Sequence, residues 1–195
     1  MKKNSKTTFI RIAISLLVVL VFLFFMKGNI YRMAVKYEDG GGRKTYEVKD
    51  EAFAKYINEN LPNDEGLDQI INIDMIVDFS QEMTAKALDF SEKTTESDPQ
   101  KTFVGGSANY EGYAAFSAAI GNYLSRMYLN SEWEAKPKKG KLYLFGSNKT
   151  KEAKDGWFKD HDFVIFRNKN TKEEIYIDPV AFDSYGVKRV DKYQK

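Results

Sequence analysis

Apolar residues recur at three- and four-residue steps through two long stretches of the chain, and alternate with polar residues in a third region near its end. Leu67, Ile70, Ile71, Met75, Ile76 and Phe79 form the first stripe, continued by Met83, Ala87 and Leu88, so that 64–95 reads as one helix or two. A stripe of this kind is core, and no chemistry is assigned to it. Tyr113, Phe116, Ile120, Tyr123, Leu124 and Met127 form the second stripe, with alanines between them that let neighbours approach, which predicts a central buried helix over 108–129. Asp50 is placed to cap a shorter helix over 51–60. After Gly140 the pattern is strand-like: 141–145, then 162–167, a polar turn, and 174–178 stopped by Pro179. The stretch 136–141, with Pro137 and Gly140, reads as a solvated loop.

The other pronounced element is at the N-terminus. Lys2, Lys3 and Lys6 precede an apolar run over 9–26, broken only by Arg11 and closed by Lys27. Its uninterrupted part, 12–26, is short for a bilayer span of about 20 residues, but flanking Arg and Lys can snorkel to the interfaces. A cleaved signal peptide is the competing reading; the residues after Phe22 offer no small-x-small site, and Ala34 would need a small residue where Arg32 stands. The expectation is a single-pass membrane anchor within 1–27. The short basic tail places the N-terminus in the cytoplasm and the globular domain on the outer side, at the cell envelope. The glycines and charges at 38–44 make 28–49 a flexible linker, and 50–195 becomes one globular domain.

The chain of 195 residues is ordinary in charge, with Lys and Arg nearly balanced by Asp and Glu and a formal net charge of +2. No basic stripe marks the folded part, so nucleic acid is not an expected partner. The absence of cysteine excludes disulfides and thiol chemistry, and a lone histidine, His161, gives too few ligands for a transition-metal site. No cofactor or metal is expected. Asn148-Lys149-Thr150 matches a glycosylation sequon of the kind that arises by chance.

Three short motifs stand in order: Tyr110-Glu111-Gly112-Tyr113 at the start of the central helix, His161-Asp162-Phe163-Val164 on one strand, and Tyr176-Ile177-Asp178-Pro179 on the next. Together they resemble the transglutaminase-like superfamily of papain-type enzymes, with Ala87-Leu88-Asp89-Phe90 and Glu96-Ser97-Asp98-Pro99 similar to the segment before its motif helix. The resemblance covers 64–182. It implies an α+β fold in which helices pack on an antiparallel sheet, with His161 and Asp178 as family catalytic positions and Tyr110 where the family has its nucleophilic cysteine. In that chemistry a helix N-terminus favours the thiolate, a histidine takes the proton and a carboxylate orients the imidazole. A phenol with pKa of about 10 supplies far less nucleophile at neutral pH than a thiol near 8.5.

The expectation is therefore a catalytically inactive domain acting as a binding or scaffold module, anchored through 9–26, with a peptide, glycan or protein ligand in the former cleft. Trp157 and Glu111 are the candidate binding residues there; Trp157 and Phe158 are equally compatible with core. Ser107 is more simply the cap of the central helix, with Glu111 in the first turn. The alternative is a cryptic hydrolase or acyl transferase using Ser107 with His161 and Asp178. An unrelated α+β adaptor is a third reading.

Overall fold

The computed structural model describes residues 4–62, 71–159 and 161–194. In chain order it contains helix α1 (Asn4–Ala34), strand β1 (Val35–Gly42), α2 (Glu51–Glu59), α3 (Ile73–Ala87), β2 (Asp89–Phe90), α4 (Pro99–Gly105) and β3 (Ser107–Ala108). Then follow α5 (Tyr110–Tyr128), β4 (Trp133–Leu144), β5 (Ser147–Asn148), α6 (Lys149–Glu152), β6 (Asp162–Asn168), β7 (Glu174–Ile177), α7 (Pro179–Tyr185) and β8 (Asp191–Lys192).

Six strands form the main sheet in the order β7-β6-β4-β1-β8, with β5 added to the end of β4. Its pairings are antiparallel except for β1 with β8, which is parallel. The sheet nearly closes, because the Val190 N–H donates to the Tyr176 carbonyl and so joins the β8 end to β7. The fold is thus mixed α/β around a nearly closed mixed sheet, which corrects the expectation of an α+β domain on a purely antiparallel one.

Two hydrophobic cores flank the sheet. One face packs on α5, whose residues Tyr113, Phe116, Ile120 and Leu124 are buried against α2, α3 and the sheet residues Val164, Phe166 and Ile177. Each such side chain is worth about 1.5–3 kcal/mol of burial, which makes α5 the structural axis of this layer. The other core lies within the curve of the sheet and collects Val35, Tyr37, Leu142, Phe163, Ile165, Tyr176 and Val190. Phe163 and Tyr37 stack obliquely there with ring centroids 5.3 Å apart.

Local signals account for several boundaries. The Asp50 side chain accepts from Phe53 N–H and starts α2, as the sequence indicates. Asn72 does the same for α3 through Met75 N–H. The part of the first apolar stripe before Ile71, including Leu67 and Ile70, lies outside the described residues. Asn109, not Ser107, caps α5, because its side chain accepts from Gly112 N–H while Ser107 belongs to β3.

Three further expectations are corrected. Residues 136–141 are not a solvated loop but the middle of β4, held between β6 and β1, with Pro137 opposite Val164. The segment 28–49 is not a free linker, since it contains the end of α1 and the whole of β1, which pairs with β4 and β8. The single-pass anchor is corrected too: among the described residues, no helix is long and apolar enough to cross a membrane. Arg11 and Lys27 interrupt the apolar run on either side, and α1 continues past it without a break to Ala34. Its last turns are tied into the domain, where Ala34 is buried and Tyr31 packs on the inner core. With the anchor fall the membrane location and the outer-side placement that rested on it.

Candidate functional site

The turn between β6 and β7 brings the start of one strand beside the end of the other, which is where His161 and Asp178 stand. Both are fully buried, and His161 Nε2 lies against Asp178 Oδ2 in a very short contact. The other ring nitrogen, Nδ1, is 3.1 Å from the Trp157 carbonyl. A carbonyl only accepts, so Nδ1 carries a proton and donates.

Asp178 has a second duty. Its Oδ1 accepts from the N–H groups of Val180 and Ala181 at 3.0 and 2.9 Å, capping α7 in the geometry that Asp-Pro at a helix start favours. Its Oδ2 also accepts from the Tyr37 hydroxyl at 2.5 Å. The Tyr37 proton being committed there, the Tyr31 hydroxyl donates to the Tyr37 oxygen at 2.6 Å. Asp178 is therefore met by the Tyr37 hydroxyl, two backbone N–H groups and His161 Nε2. The result is a buried chain running Tyr31, Tyr37, Asp178, His161, Trp157. Burial, with the Asp178 charge adding to it, pushes the Tyr31 and Tyr37 phenols well above their ordinary values.

Tyr110 opens α5, as the motif implies, and its ring lies tilted over His161 with centroids 4.6 Å apart. Its hydroxyl points elsewhere and donates to Glu92 Oε1 at 3.2 Å. Burial and the nearby Glu92 charge raise its pKa, so the phenolate is even scarcer than in water. Trp157 closes the imidazole from another side, with its ring 4.7 Å from His161, 6.0 Å from Tyr110 and 5.3 Å from Tyr185. The place beside His161 Nδ1 where papain-type chemistry needs a nucleophile is filled by a carbonyl and two aromatic rings.

Ser107 is not brought to this pair. Its hydroxyl lies 3.4 Å from that of Thr94, next to the short β2–β3 pairing. Glu111, in the first turn of α5, pairs with Arg43 Nη1 at 3.0 Å. Arg43 also reaches the buried Asp162, with Nε 2.9 Å from Oδ2 and Nη2 donating to Oδ1 at 3.2 Å. The first of these is a close ion pair whose N–H is not aligned with the contact, since neither atom completes a hydrogen bond. Burial lifts the Asp162 carboxyl above its usual value, and Arg43 only partly offsets it.

Arg43, Glu92, Tyr110, Glu111, Lys154 and Asp162 border an open cleft of about 410 Å³ on the outer side of Tyr110. Among the described residues no group of His, Asp and Glu is arranged to hold a metal. Phe158 packs against the inner core, and Asn148 caps α6 through Lys151 N–H.

Comparison of the chain with family models, with curated proteins and with solved structures finds no match in any of the three.

Tyr37 and Tyr31 are the site residues that sequence reasoning missed. A signal was present: Val35-Lys36-Tyr37-Glu38 alternates apolar and polar, and Val35 and Tyr37 are the two buried positions of β1. The neighbouring glycines, Gly40 to Gly42, masked it.

Proposed function

We propose that this domain is a non-catalytic, transglutaminase-like binding module in which the His–Asp pair of the family positions holds the fold together. What supports the kinship is the ordered set of motifs, a long helix beginning at Tyr110, and His161 beside Asp178 on paired strands. The observation that carries the inactive reading is the sealing of His161: it has no exposure, and both ring nitrogens are engaged. General-base catalysis needs a nitrogen within hydrogen-bond reach of the proton it removes, and neither is free. A nucleophile is missing as well, because Tyr110 directs its hydroxyl to Glu92 and is harder to ionise than an ordinary phenol. The module's ligand surface is the cleft beside Tyr110, whose Arg43, Glu92, Glu111 and Lys154 offer hydrogen bonds of both polarities to a peptide, glycan or protein.

The test uses the full chain with peptide, ester and transamidation substrates. No turnover is expected, either from the parent or from Tyr110→Cys, because the Trp157 carbonyl still occupies His161 Nδ1. Turnover abolished by His161→Ala would overturn the reading, and loss with Ser107→Ala would favour the cryptic hydrolase.

A further inference from the structure

The last turns of α1 and the loop after α7 border a second, open cavity of about 440 Å³. Its charged walls come from Lys27, Arg32, Lys188 and Arg189, and no carboxylate is among the residues that line it. A side-chain carbon added at Gly28 would lie 3.3 Å from the Gly186 carbonyl, a tight contact, and Gly186 has φ of +70°, which favours glycine.

We propose that this cavity is an anion site that takes a phosphate ester. Three carboxylates that do not line the cavity hold its cations. Asp191 holds Arg32 Nε at 2.8 Å, Asp78 holds Lys188 at 3.0 Å and Arg189 Nη1 at 2.7 Å, and Asp74 holds Arg189 Nη2 at 3.1 Å. Burial works to raise the Asp78 and Asp191 carboxyls, but the hydrogen bonds from these cations outweigh it and leave both below their usual values. They therefore stay ionised and keep the guanidinium groups in fixed orientations.

The arrangement is preorganised rather than saturated. Arg32 commits its Nε to Asp191 and retains its terminal amino groups, and a guanidinium fork matches the spacing of phosphate oxygens. The walls carry four cations, Lys27, Arg32, Lys188 and Arg189, and no carboxylate, while Asp191 is shared by Arg32 and Lys36. A phosphate monoester, with about −1.5 to −2 charge at neutral pH and three acceptor oxygens, offers these walls more hydrogen-bond acceptors than a single carboxylate does.

The chemistry is shared by soluble phosphate esters and by the headgroup of an acidic phospholipid, and two probes separate them. Titration calorimetry of the full chain with glycerol 3-phosphate and with water-soluble dibutyroyl phosphatidate should show saturable binding to at least one. Equal affinity for the two assigns the site to soluble esters, and tighter binding of the phosphatidate assigns it to a lipid headgroup. Loss of one charge-assisted contact corresponds to weakening of about tenfold, which is the effect expected from Arg32→Gln and from Lys188→Gln. Lys188 is well exposed, so its variant retains the fold. Absence of saturable binding to either probe, or binding unchanged in both variants, would overturn the proposal.

Discussion

Replacing His161 with alanine separates a structural histidine from a catalytic one. The substitution leaves the Asp178 carboxylate buried with the Tyr37 hydroxyl and two backbone N–H groups, but without its imidazole partner. Removing one member of a buried pair costs about 3–5 kcal/mol, because the remaining charge is neither solvated nor compensated. The vacated space under Tyr110 and Trp157 adds a packing loss in the same direction. Against a typical total of about 5–15 kcal/mol this is a large fraction, and it corresponds to a fall in Tm of roughly 6–20 °C for a domain of this size. Urea unfolding followed by fluorescence should show a lower midpoint with an unchanged slope, as for a loss of stability without a change in compactness. The same measurement on Tyr37→Phe should give about 1.5–3 kcal/mol, the value of a hydrogen bond to a charged group. Because both donors serve Asp178 Oδ2, the double variant should depart from additivity. A loss below about 1 kcal/mol for His161→Ala would rule out a structural role for the pair, since catalytic groups are commonly removed at little cost or even with gain in stability.

Other outcomes follow from the same geometry. Gly140→Ala would place a carbon 2.7 Å from the His161 carbonyl, a backbone atom with nowhere to move, and should cost about 1–3 kcal/mol by thermal denaturation. Tyr37 stays protonated in the folded state beyond its unfolded value of 10.0, while the unfolded chain ionises, so stability should fall above pH 10 by about 1.4 kcal/mol per pH unit from this residue; Tyr37→Phe should flatten the alkaline limb of a pH–stability curve. Asp78 and Asp191 have depressed values in the folded state, so their contribution is complete above pH 3.8 and is lost as pH falls through the folded values; Asp78→Asn should reduce that acid-range loss.

What the sequence revealed of this fold depended on whether a signal was local. Asp50 was legible because a capping carboxylate acts within three residues of itself. The His161–Asp178 juxtaposition was legible because a tight turn joins their strands. The role of β1 was not, since the strand that carries Gly40 to Gly42 is fixed by pairing with β4, about a hundred residues away in the chain. Lys136 to Gly140 misled for the same reason: a charged, proline-bearing stretch becomes a strand when β1 and β6 flank it. Tyr37 escaped notice because its partner, Asp178, lies at the far end of the chain. The apolar N-terminal run was read without the turns that follow it, and those turns fasten α1 to the domain through Tyr31 and Ala34.

His161 is sealed inside the fold, and its being the only histidine in the chain makes one measurement decisive. Diethyl pyrocarbonate acylates accessible imidazole nitrogens, and the extent of modification can be followed by mass spectrometry at residue 161. In the native protein modification should proceed only through unfolding, at least about a thousandfold more slowly than in urea-denatured chain. Modification of the native protein at the rate of the denatured chain, with the fold intact by circular dichroism, would contradict the account.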